Sequence, residues 1–190
     1  SGTVLASLFA PMLAKAFGWN AVLGLACIPL SIVFVAYMIM AKDAPNAPPA
    51  KRLVDYFEPL KTADAWWLMA FYAVTFGGFV GLAASLPIYF TDQFGLTPII
   101  AGYCTAACVF AGSLVRPMGG ALADRIGGVK ALMIVYVVAA LALAGVSQAT
   151  TLASALALFV LAMLALGTGN GSVFQLVPQR FQAEIGVMTG

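Results

Sequence analysis

Apolar residues fill four long stretches from which charge is absent: residues 16–41, 65–91, 93–115 and 131–179. These stretches are 26, 27, 23 and 49 residues long. Crossing about 30 Å of hydrocarbon at 1.5 Å per residue takes about 20 residues. The first three gaps therefore predict one helix each. The fourth predicts two, turning at its most polar internal segment, Ser147-Gln148-Ala149-Thr150-Thr151. The expected spans are 20–40, 66–90, 98–121, 131–146 and 152–177, and residues 1–17 read as the latter part of another helix. Enrichment in Ala, Leu and Met, together with segment length, favours helices over barrel strands, which would alternate over about ten residues.

Composition excludes the soluble reading that the length of 190 residues would otherwise allow. Hydrophobic residues make up 63% of the chain and charged ones 8%, against roughly 25% charged in a soluble domain. A soluble bundle would also need a polar stripe on most of its helices, and residues 65–91 and 131–146 have none. The predicted fold class is all-α, a polytopic membrane protein.

Loop charges then fix the topology. With loops on alternating sides, Lys42, Lys51, Arg52, Lys61, Arg125, Lys130 and Arg180 share one side and Lys15 has the other. Basic loops face the cytoplasm, so the segment starting at Trp66 runs outward and the one holding Arg116 runs back. Trp19, Trp66 and Trp67 read as interface anchors. Residues 42–65, with Pro45, Pro48, Pro49 and Pro59, read as a linker between two bundles, carrying a short surface helix around residues 52–60 with Tyr56 and Phe57 at the interface. Neither end reads as a natural terminus, and the chain is expected to be a fragment.

Arg116 is the sharpest chemical feature. It follows 23 uncharged residues, and an arginine within a span costs roughly 2.5–3.5 kcal/mol on insertion scales, so it is usually turned toward a cavity or a partner. The expected spans contain no acidic residue to pair with it. A small anion would satisfy its planar donor fork; snorkelling to the cytoplasmic interface is the competing reading. Asn170, Ser172 and Gln175 place polar side chains deep in an apolar segment, where they either bond neighbouring helices or line a polar path. Gly77 and Gly81, Gly167 and Gly171, and Gly112, Gly119 and Gly120 form small-residue faces suited to close helix packing. Tyr72, Phe76 and Phe79 share a face with Thr75. Cys27, Cys104 and Cys108 read as packing residues; there is no histidine, no metal or thiol-redox spacing, no cofactor motif, and no basic patch for nucleic acid. No nucleophile–base pair suggests an enzyme.

The run Gly119-Gly120-Ala121-Leu122-Ala123-Asp124-Arg125-Ile126-Gly127-Gly128 resembles the short cytoplasmic signature of major facilitator superfamily transporters, with Gly128-Val129-Lys130 where a basic pair is usual. Three further segments narrow the resemblance to the nitrate/nitrite porter family: Tyr72-Ala73-Val74-Thr75-Phe76-Gly77-Gly78-Phe79, Arg116-Pro117-Met118-Gly119-Gly120, and Gly169-Asn170-Gly171-Ser172-Val173-Phe174-Gln175. The resemblance implies a partial major facilitator bundle: residues 1–41 would end the N-terminal six-helix half, 42–65 would join the halves, and 66–190 would supply helices 7–10 and the start of 11. It implies that Arg116 is one of two arginines binding nitrate or nitrite from opposite halves, that Tyr72 hydrogen-bonds the anion, and that Phe76 packs against it. Phe79 stays a packing residue. Gly77, Gly78, Asn170, Ser172 and Gln175 become path or packing residues, and Gly120, Asp124, Arg125 and Gly127 a cytoplasmic gating network.

The function so implied is secondary transport across the inner (cytoplasmic) membrane by alternating access, without cofactor or metal. Its partners are the anion, the lipid bilayer and the remaining segments of the transporter. Nitrate–nitrite exchange and proton-coupled uptake both remain open. A facilitator for another small anion or organic solute is the nearer alternative; a non-transporting receptor or scaffold is the alternative of a different class.

Overall fold

The computed structural model describes residues 2–42 and 59–181. All regular elements among the described residues are helical: α1 Gly2–Phe17, α2 Trp19–Met40, α3 Ala63–Tyr72, α4 Gly78–Phe94, α5 Pro98–Leu114, α6 Arg116–Ile126, α7 Gly128–Val146 and α8 Leu152–Arg180. A π-helical turn, Ala73–Gly77, joins α3 to α4, so Ala63–Phe94 is one column; α5 and α6 likewise stack into Pro98–Ile126. Among the described residues, five helices are long and apolar enough to cross a membrane: Trp19–Met40, Ala63–Phe94, Pro98–Ile126, Gly128–Val146 and Leu152–Gln179. The surface helix expected around residues 52–60 lies outside the described residues except at its end, where Pro59–Lys61 forms a short 3-10 turn. The expected start of a further helix beyond residue 181 also lies outside them.

Local chemistry places the turns. Thr97 caps α5 by accepting from the Ile100 amide, with Pro98 at the first turn, where its missing N–H costs nothing. Thr151 and Ser154 form a reciprocal capping box that starts α8 just after the polar turn. Gly95 ends α4 in the left-handed region at φ 63°, and Gly127 separates α6 from α7 at φ 90°, a backbone that side chains with a Cβ rarely adopt.

The core is organised around α8, which packs on α5, α6 and α7 as well as on α3, α4 and the π turn between them. It approaches α5 and α6 backbone to backbone. A Cβ on Gly167 would overlap the Gly112 carbonyl, one on Gly119 the Thr168 carbonyl, and one on Gly171 the Arg116 carbonyl. Between helices already surrounded by apolar solvent, such fit supplies the association that hydrophobicity cannot. Gly77 and Gly81 differ from the expected small-residue faces, because a Cβ at either would meet nothing within 4 Å among the described residues. At the outer end, Tyr89, Phe90, Phe94 and Phe159 interlock with ring centroids 5.0–6.0 Å apart, closing α4 onto α8. Helix α1 joins the rest through α5, and α2 packs chiefly on α1 with no buried residue.

The π turn has its own support. Thr75, fully buried, donates to the Phe71 carbonyl at 2.9 Å, and the Tyr136 hydroxyl on α7 donates to the same oxygen at 3.1 Å. Tyr136→Phe is expected to lower the stability of the full-length protein by about 1 kcal/mol, because the Thr75 bond remains to satisfy that carbonyl. Thermal unfolding of Tyr136→Phe, Thr75→Val and the double variant checks this; the double variant should lose more than the sum of the two.

Candidate functional site

Arg116 sits at a break rather than inside a continuous helix. Pro117 has no N–H to offer the Ser113 carbonyl, so the α-helical ladder breaks there, and the Val115 carbonyl takes bonds from both Met118 and Gly119. The arginine is thus the first residue of α6. Its side chain reaches the column opposite. The guanidinium carbon lies 4.7 Å from the Phe79 ring centroid and 5.8 Å from that of Phe76. Both distances are within cation–π range, which favours a cation where carboxylates are lacking.

Among the described residues the charge has no counter-ion within a span. Asp64, Asp92 and Asp124 stand at the ends of α3, α4 and α6, so none lies in the apolar middle of a span. The Nε of Arg116 is buried without a hydrogen-bond partner. Leaving such a donor unmet costs about 1–3 kcal/mol, more for a charged group, so the site calls for an acceptor.

Aromatic rings build the walls. Tyr72 and Phe76, one turn apart across the π turn, stack with centroids 5.1 Å apart and an interplanar angle of 13°. Phe174 on α8 meets Tyr72 edge-on at 5.6 Å. π-helical turns recur at functional sites because they realign side chains that a regular helix would keep in fixed register. Here the turn lies between Tyr72 and Phe79 and carries Phe76, which stacks on Tyr72 and lies 5.8 Å from the guanidinium carbon.

Arg116 thus lies by Phe76, and Phe76 stacks on Tyr72, so the three residues named by the resemblance form a row of neighbours. The structure adds two residues. Phe79, expected to pack, does so at 3% exposure, and it also presents the ring nearest the guanidinium. Phe174 carried no signal of its own, being one aromatic in an apolar helix.

The polar residues of α8 divide. Ser172 is fully buried and donates to the Gly119 carbonyl at 2.9 Å and to the Thr168 carbonyl at 3.1 Å, tying α8 to α6. Gln175 donates to the carboxylate of Asp124, linking a path candidate to the gating run. Asn170 is 3% exposed, and its amide nitrogen has no partner. A Cβ added at Gly78 would meet the end of Leu166 at ordinary contact distance, Gly120 is nearly open, and Arg125 is exposed beside Asp124. No group of three His, Cys, Asp or Glu side chains among the described residues could hold a metal ion. Cys108 is buried, Cys104 half-buried and Cys27 exposed, all three free thiols.

Comparison with known proteins places the chain among transporters. The family model for the Major Facilitator Superfamily matches residues 1–190. The chain is similar to the nitrite extrusion protein of Bacillus subtilis, at 31% identity over all of this chain and 48% of that protein. It is 33% identical to the probable nitrate/nitrite transporter NarK2 of Mycobacterium tuberculosis, over all of this chain and 49% of that protein. The probable nitrate transporter NarT of Staphylococcus epidermidis is 32% identical, with the same coverage of 100% and 49%. The chain thus spans about half the length of the curated relatives it matches.

Proposed function

Because the chain belongs to the Major Facilitator Superfamily, we propose that it serves secondary transport of nitrate and/or nitrite across the cytoplasmic membrane by alternating access. One observation carries the choice of an anion. Arg116 has a buried, unpartnered Nε, aromatic neighbours and, among the described residues, no carboxylate in the apolar middle of a span. A monovalent anion supplies both the missing charge and the missing acceptors, and a planar oxyanion matches the guanidinium fork and slides between flat rings.

In this reading Arg116 holds the anion, Tyr72 donates its phenolic hydrogen to it, and Phe76 packs on its face. Residues 1–41 belong to one helical half, 42–65 connect the halves, and 66–190 belong to the other. This division is supported by the way α1 and α2 pack on each other and meet the remainder through α5. The binding site then lies where two halves face each other near the midplane, and rocking of one against the other exposes it alternately. A second arginine, expected from the family resemblance, would complete the clamp from the facing half. Anion binding would offset the repulsion between the two cations. Asp124 and Arg125, with Gly120 and Gly127, would act at the cytoplasmic end, and Gln175 would restrain Asp124 in one of the two states. No bond to the anion is made or broken.

Full-length protein in proteoliposomes tests this. Saturable uptake of nitrate or nitrite is the expected result, with acceleration by the other anion inside marking exchange and acceleration by an inward proton gradient marking symport. Flux of a monocarboxylate with neither inorganic anion would replace the substrate. Nitrate binding without flux would point to a receptor and overturn transport.

A further inference from the structure

We propose that Asn170 is a direct anion ligand that sets the site's preference for a planar oxyanion over a spherical halide; this rests on the anion-transport reading above. The neighbours of α8 define where its side chain lies. Leu166, one turn before Asn170, touches Gly78 on α4, and Phe174, one turn after it, touches Tyr72. Residues spaced by four share one face of a helix. On one flank of that face Gly169 abuts Thr75 of the π turn; on the other Gly167 and Gly171 abut Gly112 and the Arg116 carbonyl. Asn170 therefore enters the wedge between the π turn with α4 and the α5–α6 break. Phe79 reaches into the same wedge, with its ring edge against Gly112, and the guanidinium of Arg116 lies over that ring.

Two buried nitrogens without partners occur in this wedge, Arg116 Nε and Asn170 Nδ2. Both are donors, so neither can satisfy the other. An anion with separate oxygens, one accepting from each, resolves both. An amide held at 3% exposure forms the floor of the site, where the most withdrawn oxygen of the anion would meet it. Nitrate and nitrite carry divergent oxygens that can reach one donor on α6 and another on α8. Chloride, having a single centre, gains less from donors placed apart.

The test is anion affinity by calorimetry on purified full-length protein, wild type against Asn170→Leu and Asn170→Asp, using sodium nitrate and sodium chloride as probes. Asn170→Leu keeps the volume and removes the donors; nitrate affinity is expected to fall about tenfold, the worth of one hydrogen bond to a charged group, with chloride affinity nearly unchanged. Asn170→Asp keeps the shape and places a carboxylate near Arg116, so nitrate binding should be lost even if the leucine variant fails to fold. A structural role alone would lower the melting temperature without moving the nitrate-to-chloride ratio. Wild-type nitrate affinity and an unaltered ratio in folded Asn170→Leu or Asn170→Asp overturn the assignment while leaving the transport reading intact. Absence of nitrate and nitrite binding in wild type overturns that reading, and the assignment with it.

Discussion

Arg116→Lys in the full-length protein is expected to weaken nitrate binding roughly thirtyfold or more, with transport lost in proportion. The charge is retained, so a purely electrostatic role predicts little change. The fork is not retained. Lysine offers a compact, strongly hydrated ammonium, whereas the guanidinium is planar and weakly hydrated and lies 4.7 Å from the Phe79 ring centroid. Losing one of two charge-assisted bonds and the ring contact costs about 2 kcal/mol or more, and each 1.4 kcal/mol is tenfold in affinity. Titration of nitrate into the purified variant measures it. Affinity equal to wild type would remove Arg116 from the anion site.

Gly171→Ala should be among the most disruptive small changes to the bundle, with the like changes at Gly119 and Gly167. A Cβ on Gly171 would overlap the Arg116 carbonyl oxygen, an atom of the main chain that cannot turn aside as a side-chain tip can. Helix α8 must then withdraw from α6, also straining the Ser172 bond to Gly119. Overpacking of this kind costs about 1–3 kcal/mol, and contact with backbone places it at the upper end. A fall of several degrees in Tm is expected. Because the obstructing atom belongs to Arg116 itself, nitrate affinity should fall together with stability. A variant that melts and binds like wild type would show that α6 and α8 do not meet this closely.

The spans were legible because hydrocarbon thickness is written directly into the charge gaps. The expected 131–146 and 152–177 became Gly128–Val146 and Leu152–Arg180, and 66–90 became Ala63–Phe94. The helices run past the gaps because polar residues at their ends reach the interface, where a helix can continue at no desolvation cost. The break before Arg116 had a signal in Pro117 that hydropathy does not weigh. The π turn had none: Ala73-Val74-Thr75-Phe76-Gly77 reads as ordinary apolar helix, and only the Thr75 and Tyr136 hydroxyls on one carbonyl disclose its support. Glycine spacing showed which positions share a face but not which faces meet another helix. Gly167 and Gly171 are closely covered, whereas Gly77 and Gly81 are open among the described residues. Arg116 stood out from the sequence because charge in lipid is rare. Phe174 did not, because an aromatic in lipid is common.

The π turn also makes the number of residues in this helix informative, apart from their identity. Removing any one residue from 73–77 could let the column regain regular α-helical bonding. A π turn holds one residue more than an α-helical turn, so such a deletion would leave the residues beyond it, Phe79 included, near their present places. Its effect would fall inside the turn, on the Phe76 stack with Tyr72 and on the Thr75 bond to the Phe71 carbonyl. Loss of one residue is therefore expected to cost the packing of the column less at 73–77 than in its regular α-helical parts, while Phe76 bears the change.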